Sequence, residues 1–287
     1  MNFVLSTLLG NWVDSTFLEE MCICVLMSVY DKVKVEELHL SVQSILNQTC
    51  KEFQFFIGVD GPINKELDKA LNQYCVDKRI RLVRFMDNRG LAAVLNDLIE
   101  LSNHCEYLAR MDADDIALPR RLERQVDFLR NHPEVDVLGC AVEEFDEQQN
   151  SLGVSYYPES SKECYRWFAK WNPVVHSTVM FRHRFFEKAG LYNVNYLRHQ
   201  DTILWMSGFK VGCKFANIPE VLMKISTPRD LFKYRLGGWE LAWRSFKDRI
   251  WINWQLKYGL GAYWYAFMMF IAMIRPVWFK GMAIKGR

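Results

Sequence analysis

Apolar runs alternate with amphipathic segments along the first half of the chain. Runs rich in Val, Ile, Leu and Phe are typical of strands buried in a sheet. They predict strands at residues 22–29, 53–59, 79–85, 107–109 and 135–142. Apolar positions three and four residues apart predict helices between them, at 31–48, 65–75, 90–101 and 119–131. Strands and helices that alternate in this way predict an α/β fold with a mostly parallel sheet and helices on both faces.

The second half of the chain has a more mixed pattern. It predicts strands at 153–157, 177–181 and 219–225, and a helix at 201–210. We expect the α/β domain to span residues 21–226, with a short leader at 1–20 and a helical region at 227–287. With 287 residues and 50% hydrophobic content, the chain is long enough for one large core with an appendage.

Three carboxylates, those of Asp112, Asp114 and Asp115, lie directly after the predicted strand at 107–109. Carboxylates crowded at the end of a buried strand repel one another and are costly to desolvate. A divalent cation removes that cost, and hard oxygen ligands suit Mg²⁺ or Mn²⁺, with substrate phosphate oxygens filling further positions. The alternative is an acidic N-terminal cap for the helix that begins near Pro119.

Two other predicted strands also end in loops that carry a carboxylate. Residues 28–31 follow the first strand and end with Asp31, and residues 60–62 follow the second strand and begin with Asp60. Ligands of parallel sheets bind at the carboxyl ends of the strands. The sequence therefore predicts a ligand site where these two loops meet residues 112–114.

Charge and cysteine content exclude several classes of protein. A formal net charge of +2 does not fit a nucleic-acid-binding polycation, so no nucleic-acid partner is expected. The eight cysteines form no C-x-x-C pair, and most lie in apolar surroundings. We interpret them as reduced core residues of a cytosolic protein, not as a disulfide framework or a zinc site. Residues 1–20 lack a basic region and are not interpreted as a signal peptide.

The C-terminal region combines positive charge with aromatic side chains. Residues 228–287 hold eleven Lys/Arg against three Asp/Glu, and residues 258–274 contain aromatic but no charged side chains. Residues 239–254 mix Trp with Lys and Arg at helical spacing. This combination favours a peripheral or shallow helix at the surface of an anionic membrane. The alternative is a helix packed on the α/β domain or on a dimer partner.

An ordered series of motifs resembles the family 2 glycosyltransferases, whose nucleotide-sugar-binding domain has the GT-A fold. The resemblance covers about residues 21–225, and it is strongest to bacterial capsule, exopolysaccharide and O-antigen enzymes of the amylovoran type. The motifs are VLMSVY at 25–30, SILNQT at 44–49, VDG at 59–61, NRGLA at 88–92 with Asn96, ARMDADD at 109–115 with LP at 118–119, EVDVLG at 134–139, HSTVMFR at 176–182, QD at 200–201 with LW at 204–205, and FANIPEVL at 215–222.

The resemblance implies inverting transfer of a sugar from a nucleoside-diphosphate sugar, expected to be a UDP-sugar, to a growing lipid-linked oligosaccharide. Such an enzyme works at the inner face of the cell membrane. Asp201 is implied as the general base, and His176, Gln200 and Trp205 as acceptor-side residues. The implied nucleotide-sugar-binding residues are Ser28, Val29, Tyr30, Asp60, Arg89, Asp112, Ala113 and Asp114. Of these, Asp112 and Asp114 are also implied as ligands of Mg²⁺ or Mn²⁺.

Three positions depart from the family pattern. The loop at 60–62 reads Asp-Gly-Pro where many members have two aspartates, Ser28 stands where a proline is common, and Gln200 stands where a glutamate is usual. The last departure alters the surroundings of the implied base but retains its carboxylate.

Each implied site residue also has a structural interpretation that the sequence leaves open. The alternatives are a turn-initiating Asp60, an N-cap at Asp201, a solvated loop residue at Arg89, a hydrogen-bonded core histidine at His176 and a supporting or capping role for Asp115.

Two other functions are weighed against the glycosyltransferase. A nucleotidyltransferase uses carboxylates and a metal on a similar sheet, but it would be expected to carry a Gly-rich basic loop after the first strand, and residues 28–31 are not one. A membrane-bound nucleotide- or glycan-binding module without catalysis is the non-enzymatic alternative. Retention of Asp112, Asp114 and Asp201 argues against it, and an assay for sugar-nucleotide turnover separates the two.

Overall fold

The computed structural model describes residues 22–196, 199–227 and 239–274. Its strands are β1 (Ile23–Val29), β2 (Gln54–Val59), β3 (Ile80–Arg84), β4 (Tyr107–Met111), β5 (Ile116–Ala117), β6 (Val137–Phe145), β7 (Ser151–Ser155), β8 (Met180–Arg182) and β9 (Phe215–Ser226). Its α-helices are α1 (Val35–Leu46), α2 (Lys65–Tyr74), α3 (Leu91–Leu101), α4 (Arg121–Asn131), α5 (Ser161–Phe168), α6 (Arg184–Ala189), α7 (Gln200–Lys210), α8 (Trp239–Gln255) and α9 (Leu260–Ile274).

The strands form one sheet in the order β3-β2-β1-β4-β8-β6-β9-β5, with β7 paired to β6. The pairs β1–β2, β1–β4, β2–β3 and β6–β9 are parallel. The pairs β4–β8, β6–β8, β5–β9 and β6–β7 are antiparallel. Six strands, β1, β2, β3, β4, β6 and β9, therefore run in one direction, and β5, β7 and β8 run against them. The sheet is mixed but mostly parallel, as predicted, and the sequence did not indicate which strands are antiparallel. An apolar run indicates that a strand is buried but carries no information about its direction.

Both faces of the sheet are covered, which explains the continuous apolar character of β1. Val25 and Met27 point into a core on one face, while Cys24 and Leu26 point into a second core on the other. The helices α1, α2 and α4 contribute to the first core, and α3, α5 and α7 contribute to the second. Each fully buried aliphatic side chain stabilises the fold by about 1.5–3 kcal/mol. The predicted helices on both faces are confirmed.

The helix α8 packs on the second core. Ile252 and Leu256 are buried there with residues of α5 and α7. The hydroxyl of Tyr165 in α5 donates to the carbonyl oxygen of Leu256 at 2.6 Å, and the Arg249 guanidinium donates to the carbonyl oxygen of Phe168 at 2.6 Å. The described part of the predicted C-terminal region is helical, as expected, but α8 is an integral part of the domain.

The helix α9 folds back on α8 around the ring of Phe270, which contacts Trp239, Trp243 and Phe246. Within 22–196, 199–227 and 239–274, no helix has the length and apolar character needed to cross a bilayer. The predicted leader at 1–20 lies outside the described residues.

One cysteine pair differs from the sequence prediction. Cys22, just before β1, and Cys105, just before β4, are joined in a disulfide across 83 residues of chain. The prediction that these two cysteines are reduced is not met, because adjacent strands begin side by side and bring the residues together. The other six cysteines are free thiols, as expected.

Candidate active site

The carboxyl ends of β1, β2 and β4 meet at one edge of the sheet and form a cleft of ≈ 350 Å³. This volume lies within the range of about 300–1,000 Å³ that small-molecule sites occupy. The cleft is lined by Ser28, Tyr30, Lys32, Val33, Glu37, Asp60, Asn88, Gly90, Leu91, Asp112, Ala113 and Asp114. The structure thus brings together most of the residues implied as nucleotide-sugar-binding. Val29 is fully buried and takes part through its backbone, since its carbonyl oxygen accepts from the Asp60 N–H at 2.8 Å.

Polar side chains in and just after α1 hold the loop that carries the three carboxylates, residues 112–115, in place. We call this loop the aspartate loop. The Ser41 hydroxyl donates to the carbonyl oxygen of Asp112 at 2.8 Å, and the Ser44 hydroxyl accepts from the Ala117 N–H at 3.0 Å. Gln48 donates to the carbonyl oxygen of Leu118 and accepts from the Leu122 N–H at the start of α4. The motif at 44–49 therefore has a clear structural role, which is to fix the loop that carries the carboxylates.

A buried arginine lies directly beneath this loop. The Arg110 side chain in β4 is 4% exposed, and its guanidinium pairs with Oδ1 of Asp112. The paired Asp112 side chain stays partly exposed and lines the cleft. Nε and Nη1 of Arg110 have no hydrogen-bond partner among the described residues. A buried donor without a partner costs about 1–3 kcal/mol of folding free energy. Arg110 therefore fixes Asp112 at the expense of the stability of the fold.

The other two carboxylates of the cluster have raised pKa values. Burial and the neighbouring Asp112 carboxylate raise the pKa of Asp114 to about 6, although its side chain reaches the surface of the cleft. Burial and the charges of Asp112 and Asp114 also raise the pKa of Asp115. The Asp115 carboxylate accepts from the Ser226 N–H at 2.9 Å, which ties the end of β9 to the aspartate loop. This contact supports the structural interpretation of Asp115.

The chemistry of the cluster fits a divalent cation. One carboxylate oxygen from each of Asp112, Asp114 and Asp115 lies within 4.8 Å of the other two. The raised pKa values indicate that nearby positive charge does not fully compensate the three carboxylates. A bound cation would supply the missing charge. Carboxylate oxygens suit Mg²⁺ or Mn²⁺, in agreement with the sequence prediction.

The Asp60 carboxylate fixes the loop that contains Arg89 and Gly90. Its two oxygens accept from the backbone N–H groups of Arg89 and Gly90 at 2.7 and 2.9 Å, and Asn88 donates to its carbonyl oxygen at 3.2 Å. The carboxylate is therefore more than a turn initiator, because it links the loop after β2 to the NRG motif. The Arg89 side chain pairs with Asp97 and lies over the ring of Phe85 at 4.3 Å.

Asp201 lies in the first turn of α7. The N-cap of this helix is His199, so the interpretation of Asp201 as the N-cap does not hold. The Asp201 carboxylate accepts from the Asn172 side chain at 3.0 Å, and Asn172 also contacts the Thr202 hydroxyl at 3.0 Å.

His176 and Tyr192 form a hydrogen-bonded pair within electrostatic range of Arg110. The Tyr192 hydroxyl lies 2.7 Å from Nε2 of His176. Burial lowers the pKa of His176 well below its usual value, and the charge of Arg110 lowers it further, so the ring is neutral at pH 7. Burial raises the pKa of the Tyr192 hydroxyl, with smaller contributions from the charges of Asp201 and Asp112. The Tyr192 hydroxyl therefore lies within electrostatic range of both carboxylates.

The remaining acceptor-side predictions have different outcomes. Trp205 is fully buried and packs against Phe181 and Phe215, so its ring belongs to the core and presents no surface to an acceptor. This assignment is corrected. Four consecutive apolar residues of α7, from Ile203 to Met206, are buried in the second core, so the helix is apolar on all sides and Trp205 is enclosed with it. Gln200 begins α7, and its side-chain oxygen is buried with no partner in the described part of the chain.

Sequence reasoning did not identify four residues that build this site: Arg110, Arg121, Asn172 and Tyr192. Arg121 is fully buried in α4 and donates to the carbonyl oxygens of Arg110 at 2.6 Å and Ser177 at 3.1 Å. The one available signal was an arginine inside an otherwise apolar strand, at position 110. The other three act through contacts between distant segments, which a local pattern does not reveal.

An acidic cleft at the carboxyl edge of an α/β sheet is the usual position of a ligand site in this class of fold. The model of the family Glycosyl transferase family 2 matches residues 24–190. The chain belongs to this family and is a glycosyltransferase. It is 33% identical to the amylovoran biosynthesis glycosyltransferase AmsE of Erwinia amylovora, over 79% of this chain and 82% of the relative. It is 28% identical to a UDP-Gal:alpha-D-GlcNAc-diphosphoundecaprenol beta-1,3-galactosyltransferase of Escherichia coli, over 78% of this chain and 80% of the relative.

Solved structures share the fold at low sequence identity. S. aureus TarS 1-349 in complex with UDP-GlcNAc has a TM-score of 0.59 at 14% identity, covering 89% of this chain and 82% of TarS 1-349. The mannosyltransferase PcManGT from Pyrobaculum calidifontis, in complex with GDP-Man and Mn²⁺, has a TM-score of 0.60 at 14% identity, covering 92% and 76%. These likenesses establish the GT-A fold of the chain.

Proposed function

We propose that the chain is an inverting, metal-dependent glycosyltransferase that moves a sugar from a UDP-sugar to a lipid-linked oligosaccharide. The observation that carries this proposal is the meeting of the β1, β2 and β4 loops around one acidic cleft. A nucleotidyltransferase is set aside by family membership. A binding module without turnover remains the competing function, and the retained carboxylates argue against it.

Donor binding uses the residues of the cleft. The loop after β1, with Ser28 and Tyr30, and the loop held by Asp60 are suited to the base and ribose of the nucleotide. The diphosphate is expected beside Asp112 and Asp114. Asp112 and Asp114 would hold Mg²⁺ or Mn²⁺, which when bound would supply positive charge to the leaving diphosphate. Arg110 keeps Asp112 oriented towards the cleft.

Asp201 acts as the general base. Its carboxylate takes the proton from the acceptor hydroxyl as that oxygen forms a bond to the anomeric carbon of the donor sugar. The bond from the anomeric carbon to the diphosphate oxygen breaks on the opposite face, and the nucleoside diphosphate leaves. One displacement with a single base inverts the anomeric configuration. The hydrogen bond from Asn172 orients the carboxylate.

A lipid-linked acceptor is supported by the surface of α8 and α9. Trp239, Trp254 and Trp264 are each more than 60% exposed, and the basic side chains of Arg244 and Lys247 lie on α8. Exposed tryptophans beside basic residues favour the interface of an anionic bilayer. We propose that this surface holds the enzyme at the inner face of the cell membrane, where a lipid-linked acceptor is located. The relative that acts on a diphosphoundecaprenol acceptor supports the same class of substrate.

The test is a transfer assay with purified enzyme, a panel of nucleotide sugars and a synthetic lipid-pyrophosphate sugar acceptor. We expect one nucleotide sugar to be consumed with release of its nucleoside diphosphate, only when Mn²⁺ or Mg²⁺ and the acceptor are present. Proton NMR of the product should give the anomeric configuration opposite to that of the donor. Retention of configuration, or full activity in excess chelator, would contradict the proposal.

A further inference from the structure

Three metal-capable side chains meet at the edge of the sheet opposite the cleft. Cys22 precedes β1, and His104 and Cys105 precede β4. One ligand atom from each residue lies within 4.8 Å of the other two. We call this cluster the thiol site. The strands that begin here, β1 and β4, are two of the three that end in the loops of the cleft.

The thiol site combines a protected and an accessible side. Cys105 is 2% exposed, Cys22 is partly exposed and His104 is exposed. A small solute can therefore reach the cluster from the His104 side, while the Cys105 sulfur is shielded by the protein. The disulfide explains why the two sulfur atoms are adjacent, but it does not explain why the His104 imidazole lies beside them.

The ligand chemistry of the thiol site differs from that of the acidic cluster. Two thiolates and an imidazole are soft or borderline ligands, which favour Zn²⁺ over Mg²⁺ or Mn²⁺. Three protein ligands of this type occur at zinc sites that keep a fourth position for water. In a reducing compartment the disulfide is not maintained, so the thiols become available.

We propose that Cys22, His104 and Cys105 bind one soft divalent cation, of the Zn²⁺ type, when the disulfide is reduced. A dithiol reductant supplies two electrons and two protons to the S–S bond and is itself oxidised to a disulfide. The cation then displaces both thiol protons to solvent and forms two metal–sulfur bonds. The cation links the starts of β1 and β4 in the reduced protein, as the disulfide links them in the oxidised protein.

The first test uses the unaltered protein and Co²⁺ as a spectroscopic probe. The protein is reduced with a dithiol, freed of reductant without oxygen and titrated with Co²⁺. We expect thiolate-to-cobalt charge-transfer absorption that saturates at one equivalent. Reoxidation of the pair with an oxidised dithiol should abolish this absorption, and reduction should restore it. Absence of the absorption in protein with all thiols reduced would overturn the proposal.

Carboxylate ligands give no thiolate absorption, so this result is independent of a cation at Asp112 and Asp114. Failure of the thiol site therefore leaves the proposed transferase untouched, and the reverse also holds.

The second test locates the ligands. His104→Ala and Cys105→Ser should each weaken Co²⁺ binding by at least about 100-fold, since even loss of an outer-shell partner costs about 10–100-fold. Cys75→Ser is the matched control, because Cys75 is an exposed free thiol outside the cluster. It should leave the affinity unchanged. Unchanged affinity in both His104→Ala and Cys105→Ser would contradict the assignment. His104 is exposed, so its variant tests the site without disturbing the core.

Discussion

The Tyr192 hydroxyl lies 2.7 Å from Nε2 of His176, and the backbone of Tyr192 is held on both sides by one side chain. Asn96 in α3 accepts from the Tyr192 N–H and donates to the Tyr192 carbonyl oxygen, each at 2.9 Å. These contacts explain why Asn96 accompanies the NRG motif in the sequence. They fix the backbone of Tyr192 on α3.

The energetic coupling of this pair can be measured. Tyr192→Phe removes only the hydroxyl, and His176→Gln changes only its partner. Each variant should lower the free energy of unfolding by about 1 kcal/mol, and the double variant should lose less than the sum, with a coupling of about 1 kcal/mol.

Urea denaturation of the four proteins gives the coupling. Tyr156→Phe is the control, since Tyr156 is exposed, and it should change stability by no more than about 0.5 kcal/mol. Strict additivity of the two variants would show that the hydroxyl and the imidazole do not interact.

Asp201→Asn should lower the transfer rate by about 10²-fold or more, because an amide cannot take the acceptor proton. Donor binding, measured as the affinity for UDP with Mn²⁺, should stay close to that of the unaltered enzyme. Asp68→Asn, at an exposed ion pair with Arg84, serves as the control and should transfer at the normal rate. An Asp201→Asn enzyme with near-normal turnover would move the base elsewhere, and His176 would become the next candidate.

Asp136 predicts a pH-dependent contribution to stability. Burial alone would raise the pKa of this carboxyl, but hydrogen bonds from the Lys214 N–H, Arg184 and Lys188 outweigh it and hold the pKa below its usual value. A lowered folded-state pKa adds stability above the unfolded value of about 3.9, and this stability is lost as the pH falls through the folded value.

Asp136→Asn should therefore lower the free energy of unfolding by about 1–3 kcal/mol at pH 7, and the difference from the unaltered protein should shrink below about pH 4. Denaturant unfolding at a series of pH values checks this. A difference that stays constant from neutral to acid pH would show that the charge of Asp136 is not involved.

Membrane binding is best tested with point variants. A chain that ends at Ser226 would lose Ile252 and Leu256 from the second core and should be destabilised, which confounds a truncation experiment. Trp254→Gln and Trp264→Gln should each weaken binding to anionic vesicles by roughly 10-fold, or about 1.4 kcal/mol, because less apolar surface enters the bilayer.

Vesicle sedimentation measures this binding. Trp167→Gln changes an exposed tryptophan of α5, outside the α8–α9 surface, and should bind normally. Salt should release part of the protein, since exposed charges are screened beyond about 10 Å at 0.1 M. If the intact protein does not sediment with anionic vesicles at low salt, the membrane proposal is wrong.

Much of the fold could be predicted because its strands are buried on both faces. The predicted strand at 22–29 and helix at 201–210 match β1 and α7 within one residue. The helix α5 was missed although Ser160 and Glu163 form a capping box, since its eight residues bury only Cys164 and Phe168. The two-residue strand β5 was missed because it is defined by pairing with β9, not by a local pattern.

The carboxylates of the site could be predicted, and their surroundings could not. Asp112 and Asp114 lie in one short motif whose residue types indicate a cation site. The contact between Asn96 and Tyr192 spans 96 residues, and it forms only when α3 packs beside the segment before α7. The pairing of Arg110 with Asp112 could have been predicted from the sequence, because a charged side chain inside a buried strand requires a partner.

The most direct measurement is the affinity for UDP, by isothermal titration calorimetry, with and without Mn²⁺. We expect that UDP binds the unaltered protein in Mn²⁺, that binding is lost in chelator, and that Asp112→Asn and Asp114→Asn abolish the Mn²⁺-dependent part in proteins that remain folded. UDP binding that is unchanged by chelator and by both substitutions would contradict a nucleotide-sugar site organised by the acidic cluster.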